Sequence, residues 1–250
     1  MALKHIERHT ESKSVSSPID LAKEDLALAH RIIAYENMHE GTWNHLSVMS
    51  PDDDALMLVS RGSLHFSDIY AEDILIMDGE GNVHDASAKP NQAAWCLHYP
   101  IHMRREDAKC VIHLHSLNVC ALLMQRGTRL DEQGSQPAAT LYQHIAYYDS
   151  YDGVLRDASE GEQMADVLGE CSILALRNHG FIAIGPSIAV ALERAYLFER
   201  ACQMQLLAES SGRELNRIPD DLIAEISKEE NLYLGGYFDG MKRLFENKQL

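Results

Sequence analysis

An α/β fold in a single domain is what this sequence predicts, and three observations carry that reading. Short apolar runs of strand length interleave with longer helical patterns, no composition shift or long linker divides the chain, and no segment repeats. The 250 residues, 46% of them hydrophobic, are enough for a full core, in one large domain or two small ones by length alone.

Residues 1–17 are polar and Ser-rich and read as a loosely attached arm, with the domain and its helical tail over 18–250. Ser17-Pro18 is an N-cap followed by a first-turn proline, opening a helix whose Leu21, Leu26, Ala29, Ile32 and Ile33 form an apolar stripe running to Gly41. Strands follow at 45–49, 55–59 and 74–77, and Asp78-Gly-Glu-Gly-Asn82 has the composition of a hairpin turn. Asn91 to Arg105 forms a helix leading into the apolar strand Cys110–Ser116, with another helix over 116–126 behind it. Ala146–Val154 and Ser172–Ile184 read as extended, separated by a helix over 160–169. A long helix over 187–211 and a helical tail over 220–245, broken near Gly235-Gly236, complete the chain.

Charge narrows the possible partners. The 22 Lys and Arg against 38 Asp and Glu give a formal charge of −16, which repels phosphate backbones and anionic lipid, so neither nucleic acid nor membrane is expected. Five cysteines in mostly apolar surroundings, without a Cys-x-x-Cys pair, read as reduced core thiols. The charged N-terminus lacks the apolar stretch of a signal peptide, so the expected compartment is the cytoplasm.

The most informative motif is His113-Leu114-His115. Side chains alternate along a strand, so both imidazoles point one way while Ile112 and Leu114 point the other. A third imidazole, His179, follows the apolar run Leu174-Ala-Leu, where Gly180 lets the chain reverse. Three neutral imidazoles suit zinc, iron, nickel or cobalt and leave a position open for water or substrate. By spacing alone, ordinary hydrogen-bonded strand histidines in a chain with 13 of them are the competing reading.

Taken as an ordered set, several segments resemble the class II aldolase/adducin family. They are Gly41-Thr-Trp-Asn-His-Leu-Ser47, Asp73-Ile-Leu-Ile-Met-Asp-Gly-Glu-Gly-Asn82, His98 fifteen positions before His113, the His113/His115 pair and Leu176-Arg-Asn-His-Gly180. The resemblance implies a three-layer α/β/α fold around a largely antiparallel sheet. It implies a divalent metal on His113, His115 and His179, with zinc expected first and iron, manganese or cobalt as alternatives. It further implies a homotetramer or other homo-oligomer with sites near subunit borders.

The departures bear on chemistry. Where the family's sugar-phosphate aldolases carry a catalytic Glu, this chain has Ala94, and the nearby Lys89-Pro-Asn-Gln92 offers only amides. The aldolases' phosphate-binding Gly-Asn-Val-Ser-Val-Arg is replaced by Asn44-His-Leu-Ser-Val-Met49, and their Thr-Gly turn by Ser60-Arg-Gly-Ser63, so a phosphorylated sugar is not expected. The segment Ala146-Tyr-Tyr-Asp-Ser-Tyr-Asp-Gly153, with Asn44-His45, resembles the family's adducin-like branch. The expected activity is therefore a metal-dependent lyase, by aldol-type cleavage or decarboxylation, on a small non-phosphorylated hydroxy or oxo acid or carbonyl compound. A non-haem iron oxygenase and a non-enzymatic scaffold are the alternatives. Tyr148 and His98 are the proton-transfer candidates, with Tyr142 a weaker one, and Asn44, Asn91 and Gln92 are expected to orient the substrate. His98 and His102, at helical i,i+4 spacing, read as residues on ordinary helix faces, and Asp52-Asp-Asp54 as a solvated turn.

Overall fold

In the computed structural model, residues 16–84, 89–151 and 158–248 are described. Of the expected N-terminal arm only Ser16 and Ser17 fall among them, and residues 152–154 of the expected 146–154 extended segment lie outside them. The elements run α1 (Pro18–Tyr35), β1 (His45–Met49), β2 (Met57–Ser60), β3 (Ile74–Met77), α2 (Gln92–Arg104), β4 (Cys110–Leu114), α3 (Leu117–Leu123) and α4 (Gln136–Thr140). After them come β5 (Ile145–Tyr148), α5 (Ala158–Leu168), β6 (Ile173–Leu176), β7 (Gly180–Gly185), α6 (Ile188–Glu209), α7 (Asp220–Glu230) and α8 (Gly236–Lys248).

The seven strands form one sheet in the order β3-β2-β1-β4-β7-β6-β5. Its pairings are antiparallel apart from β5 on β6. Period-two alternation divides the strand side chains between two helical layers. Cys110, Ile112 and Leu114 of β4, with Leu46 and Val48 of β1 and Phe181 and Ala183 of β7, face α1, α3, α6 and α8. Val111, Leu174, Leu176, Ile182 and Ile184 face α2 and α5. This is the expected three-layer, largely antiparallel fold. Phe181 and Phe198 meet edge-to-face at 5.2 Å in the larger core, where truncating either to Ala would cost about 3–5 kcal/mol.

Local chemistry sets the element ends. Ser17 and Asp20 form a reciprocal capping box at the start of α1. That helix ends at Tyr35, short of the expected Gly41, because Asn37 adopts a left-handed φ of 56° and its N–H bonds back to Ala34 O. The expected 55–59 strand starts instead at Met57, since Asp53 caps the backbone at Ala55 and Leu56. The 172–184 segment is two strands, and the reversal between them falls on Asn178, at φ 58°, where Gly180 was expected to supply it. Sequence reading also passed over α4, two 3-10 turns at Phe66–Asp68 and Ala71–Asp73, and the shortness of β5. Among the described residues no helix is long and apolar enough to cross a membrane.

Candidate metal centre

β4 stands at the middle of the sheet between β1 and β7 and carries His113 on the α2 side, with His115 just past its end. The β6–β7 turn brings His179 to the same place. Gly180 serves close approach there: a Cβ on it would lie 2.9 Å from His115 Cδ2 and 3.2 Å from its Cα, with the Leu114 carbonyl oxygen nearer still. The three rings sit with centroids 4.7–4.9 Å apart, and one ring nitrogen of each lies within 4.8 Å of the other two.

The hydrogen bonds behind these rings fix which nitrogen faces inward. His113 Nδ1 lies 3.0 Å from Phe181 O, and His115 Nδ1 lies 2.8 Å from a Glu40 carboxylate oxygen. Both partners can only accept, so both Nδ1 atoms carry the proton and both Nε2 atoms present lone pairs. Those two Nε2 atoms are 3.0 Å apart. Two lone pairs facing each other repel unless a cation joins them, and outer carbonyl and carboxylate partners are what orient metal-binding imidazoles. The donor set therefore fits a divalent metal. Burial first, then the neighbouring His45, His115 and His179 rings, hold His113 well below the usual imidazole range. Burial and His115 bring His179 down to about 4 against the opposing pull of Glu40. Both are thus neutral and ligand-ready at pH 7.

Over the three histidines opens a cavity of about 470 Å³ with Trp43, Leu97, Tyr151 and Met164 among its walls and no Lys or Arg among its described lining residues. Arg61, from the segment standing where the aldolases have their Thr-Gly turn, faces Asp73 at 3.9 Å.

The remaining expected site residues divide. Asn91 borders the cavity while its Oδ1 caps α2 by accepting from Ala93 N–H. Asn44 is buried outside the cavity lining, and its Oδ1 accepts from Glu40 N–H at 2.6 Å, closing the loop that delivers Glu40 to His115. Gln92 lies against the turn at Gly81. Tyr148 packs beside the core between α2 and α5, Tyr142 sits in the turn after α4, and neither is among the described lining residues, whereas Tyr151 is. His98 is fully buried behind the cavity, with both ring nitrogens engaged.

His98 and His102 correct the expectation of ordinary helix faces. Both are buried against β1 and joined through one Ser47 hydroxyl, 2.7 Å from each. Sequence reasoning also missed Glu40, Trp43 and, as a separate site residue, His45. Only the last carried a signal, since alternation puts His45 and Ser47 on one face of the 45–49 strand, while its register opposite His113 is visible only in the fold.

Residues 24–206 match the family model for the class II aldolase and adducin N-terminal domain. A class 2 aldolase-like protein from Caulobacter vibrioides is 30% identical over 216 residues, covering 86% of this chain and 83% of its own. Human gamma-adducin is 33% identical over 177 residues, 66% of this chain but 24% of that protein. The crystal structure of an aldolase II superfamily protein from Pseudomonas syringae aligns with a TM-score of 0.84 at 28% identity, over 93% of this chain and 95% of that one.

Proposed function

The chain belongs to the class II aldolase and adducin family, and on that premise we propose that it is a metal-dependent carbon–carbon lyase acting on a small, non-phosphorylated hydroxy or oxo acid or carbonyl compound. One observation carries the reading: three imidazoles, two of them with Nε2 lone pairs turned inward, meet at the floor of a cavity whose described lining holds no cationic side chain. His113, His115 and His179 would hold the metal, with zinc the proposed ion. Bound there, a divalent cation would polarise a carbonyl or carboxylate oxygen and offset the charge that develops as a carbon–carbon bond breaks.

The chain's own groups do the rest. Glu40 and Phe181 O orient the imidazoles. The Asn91 amide can donate to a substrate oxygen, and Trp43, Leu97 and Met164 exclude water around the apolar part of the ligand. Among the described lining residues a phosphate group would find no Lys or Arg of the kind that phosphate sites use. Ala94, at the position of the family's catalytic Glu, is buried among Met49, Met57, Val59 and Met77, so no carboxylate acts from there. Decarboxylation of a β-oxo acid needs only an electron sink, and it is the reaction this set serves with fewest additional groups.

Zinc-loaded protein incubated anaerobically with a panel of β-oxo and hydroxy acids tests the proposal. Release of carbon dioxide or an aldehyde fragment, lost with chelator and with His115→Ala, is the expected result. Turnover only with iron and oxygen would transfer the site to oxygenase chemistry. No turnover, with family partners captured equally by the parent and His115→Ala proteins, would favour the adducin-like scaffold role that the gamma-adducin similarity raises.

A further inference from the structure

Behind the three imidazoles lies a second histidine array outside the ligand set. His102 Nδ1 lies 2.5 Å from Ala108 O, and its Nε2 lies 2.7 Å from Ser47 Oγ. Ser47 Oγ lies 2.7 Å from His98 Nδ1, and His98 Nε2 lies 2.8 Å from His45 Nδ1. All four residues are buried, and His45 alone borders the cavity, its ring 4.9 Å from that of His113.

This string has one direction when its rings are neutral. A carbonyl only accepts, so His102 carries its proton on Nδ1 and its Nε2 must accept from the Ser47 hydroxyl. Having spent its single proton, Ser47 accepts from His98 Nδ1–H, which leaves His98 Nε2 as an acceptor for His45 Nδ1–H. Neutrality follows from burial, since His45, His98 and His102 are 3%, 0% and 5% exposed and a low-dielectric surrounding disfavours a charged ring.

We propose that the string His102–Ser47–His98–His45 locks His45 in a single tautomer, so that its unprotonated Nε2 borders the cavity as the acceptor for a hydroxyl group on the ligand bound beside the three imidazoles. The hydroxylated ligand rests on the lyase reading above, whereas the tautomer lock does not. His98, Ser47 and His102 are positioning residues, acting through His45. In a chain with Ala94 where the sugar-phosphate aldolases it resembles carry Glu, His45 supplies the lone pair that discriminates a hydroxylated ligand from its ether analogue.

The test uses the full chain with ¹⁵N-labelled histidine. In metal-free protein at neutral pH, long-range ¹H–¹⁵N spectra should show His45 and His98 protonated at Nδ1 and bare at Nε2. Ser47→Ala should release His45 into a mixture of tautomers while His113 keeps its own. A parent His45 protonated at Nε2, or a lock surviving in Ser47→Ala, overturns the proposal. In zinc-loaded protein, glycolate should bind in preference to methoxyacetate, and His45→Phe should erode that preference about fivefold, the worth of one hydrogen bond. An unchanged preference overturns the acceptor role, as does cadmium-113 coupling to His45 Nε2, which would make it a ligand. Failure to bind zinc would sink the metal-centre reading and the hydroxyl-acceptor role together, and the metal-free spectra would still decide the lock.

Discussion

Gly180→Ala puts the geometry of the centre to a quantitative test. The added Cβ would stand 2.9 Å from His115 Cδ2, inside the 3.0 Å that carbon contacts do not breach, and nearer still to Leu114 O in the backbone that delivers His115. β4 and β7 must part by at least a few tenths of an ångström at this point, whereas metal–ligand distances tolerate only about 0.2 Å. The methyl group is therefore expected to weaken zinc binding by about 10–100-fold and to cost about 1–3 kcal/mol of metal-free stability as overpacking. Chelator-competition titration reads the first and urea unfolding the second. Gly240→Ala in α8, where the added methyl meets nothing within 4 Å, is the control and should stabilise by about 0.5–1 kcal/mol. Zinc affinity in Gly180→Ala within twofold of the parent would refute the claim that close packing of β7 on β4 sets the ligand positions.

Glu40→Gln removes the carboxylate charge behind His115 and should weaken zinc about tenfold by competition titration, with the fold's melting temperature little changed. Ser47→Ala leaves a buried His98 donor and a buried His102 acceptor without their partner. It should lower stability by about 1–3 kcal/mol, read as a shift in urea midpoint at constant slope. The metal-free protein should be acid-labile. His30 is buried, its Nε2 has no partner among the described residues, and burial depresses it to about 4. The unfolded chain therefore binds a proton near pH 6.5 that the folded chain takes up only near 4. Stability is full above 6.5 and falls through that window by up to about 3 kcal/mol from this group. His30→Leu should lose less stability than the parent between pH 7 and 4.5, and an equal loss would contradict the assignment.

Much of this architecture is legible in the sequence because its signals are local. Alternation in Cys110–Leu114 fixed the common face of His113 and His115, Ser17-Pro18 marked the start of α1, and turn composition marked 78–82. What escaped reading depends on residues distant in sequence. The Glu40–His115 bond spans 75 positions and His45–His98 spans 53, so neither leaves a periodic trace. Gln92 and Asn91 are adjacent, yet only Asn91 reaches the cavity, because the helix begins between them and turns their side chains apart. The five-residue α4 is too short for periodicity, and only Ser135 followed by Pro137 marks it.

Metal content tests whether His113, His115 and His179 form a metal centre. Protein purified without chelators or a His tag should carry about one divalent metal per chain by elemental analysis, and the His113→Ala/His115→Ala variant, prepared alongside, should carry little. Equal metal in both, or none in the parent even after reconstitution with zinc, manganese, cobalt and iron, would contradict the three-imidazole centre on which the proposed chemistry rests.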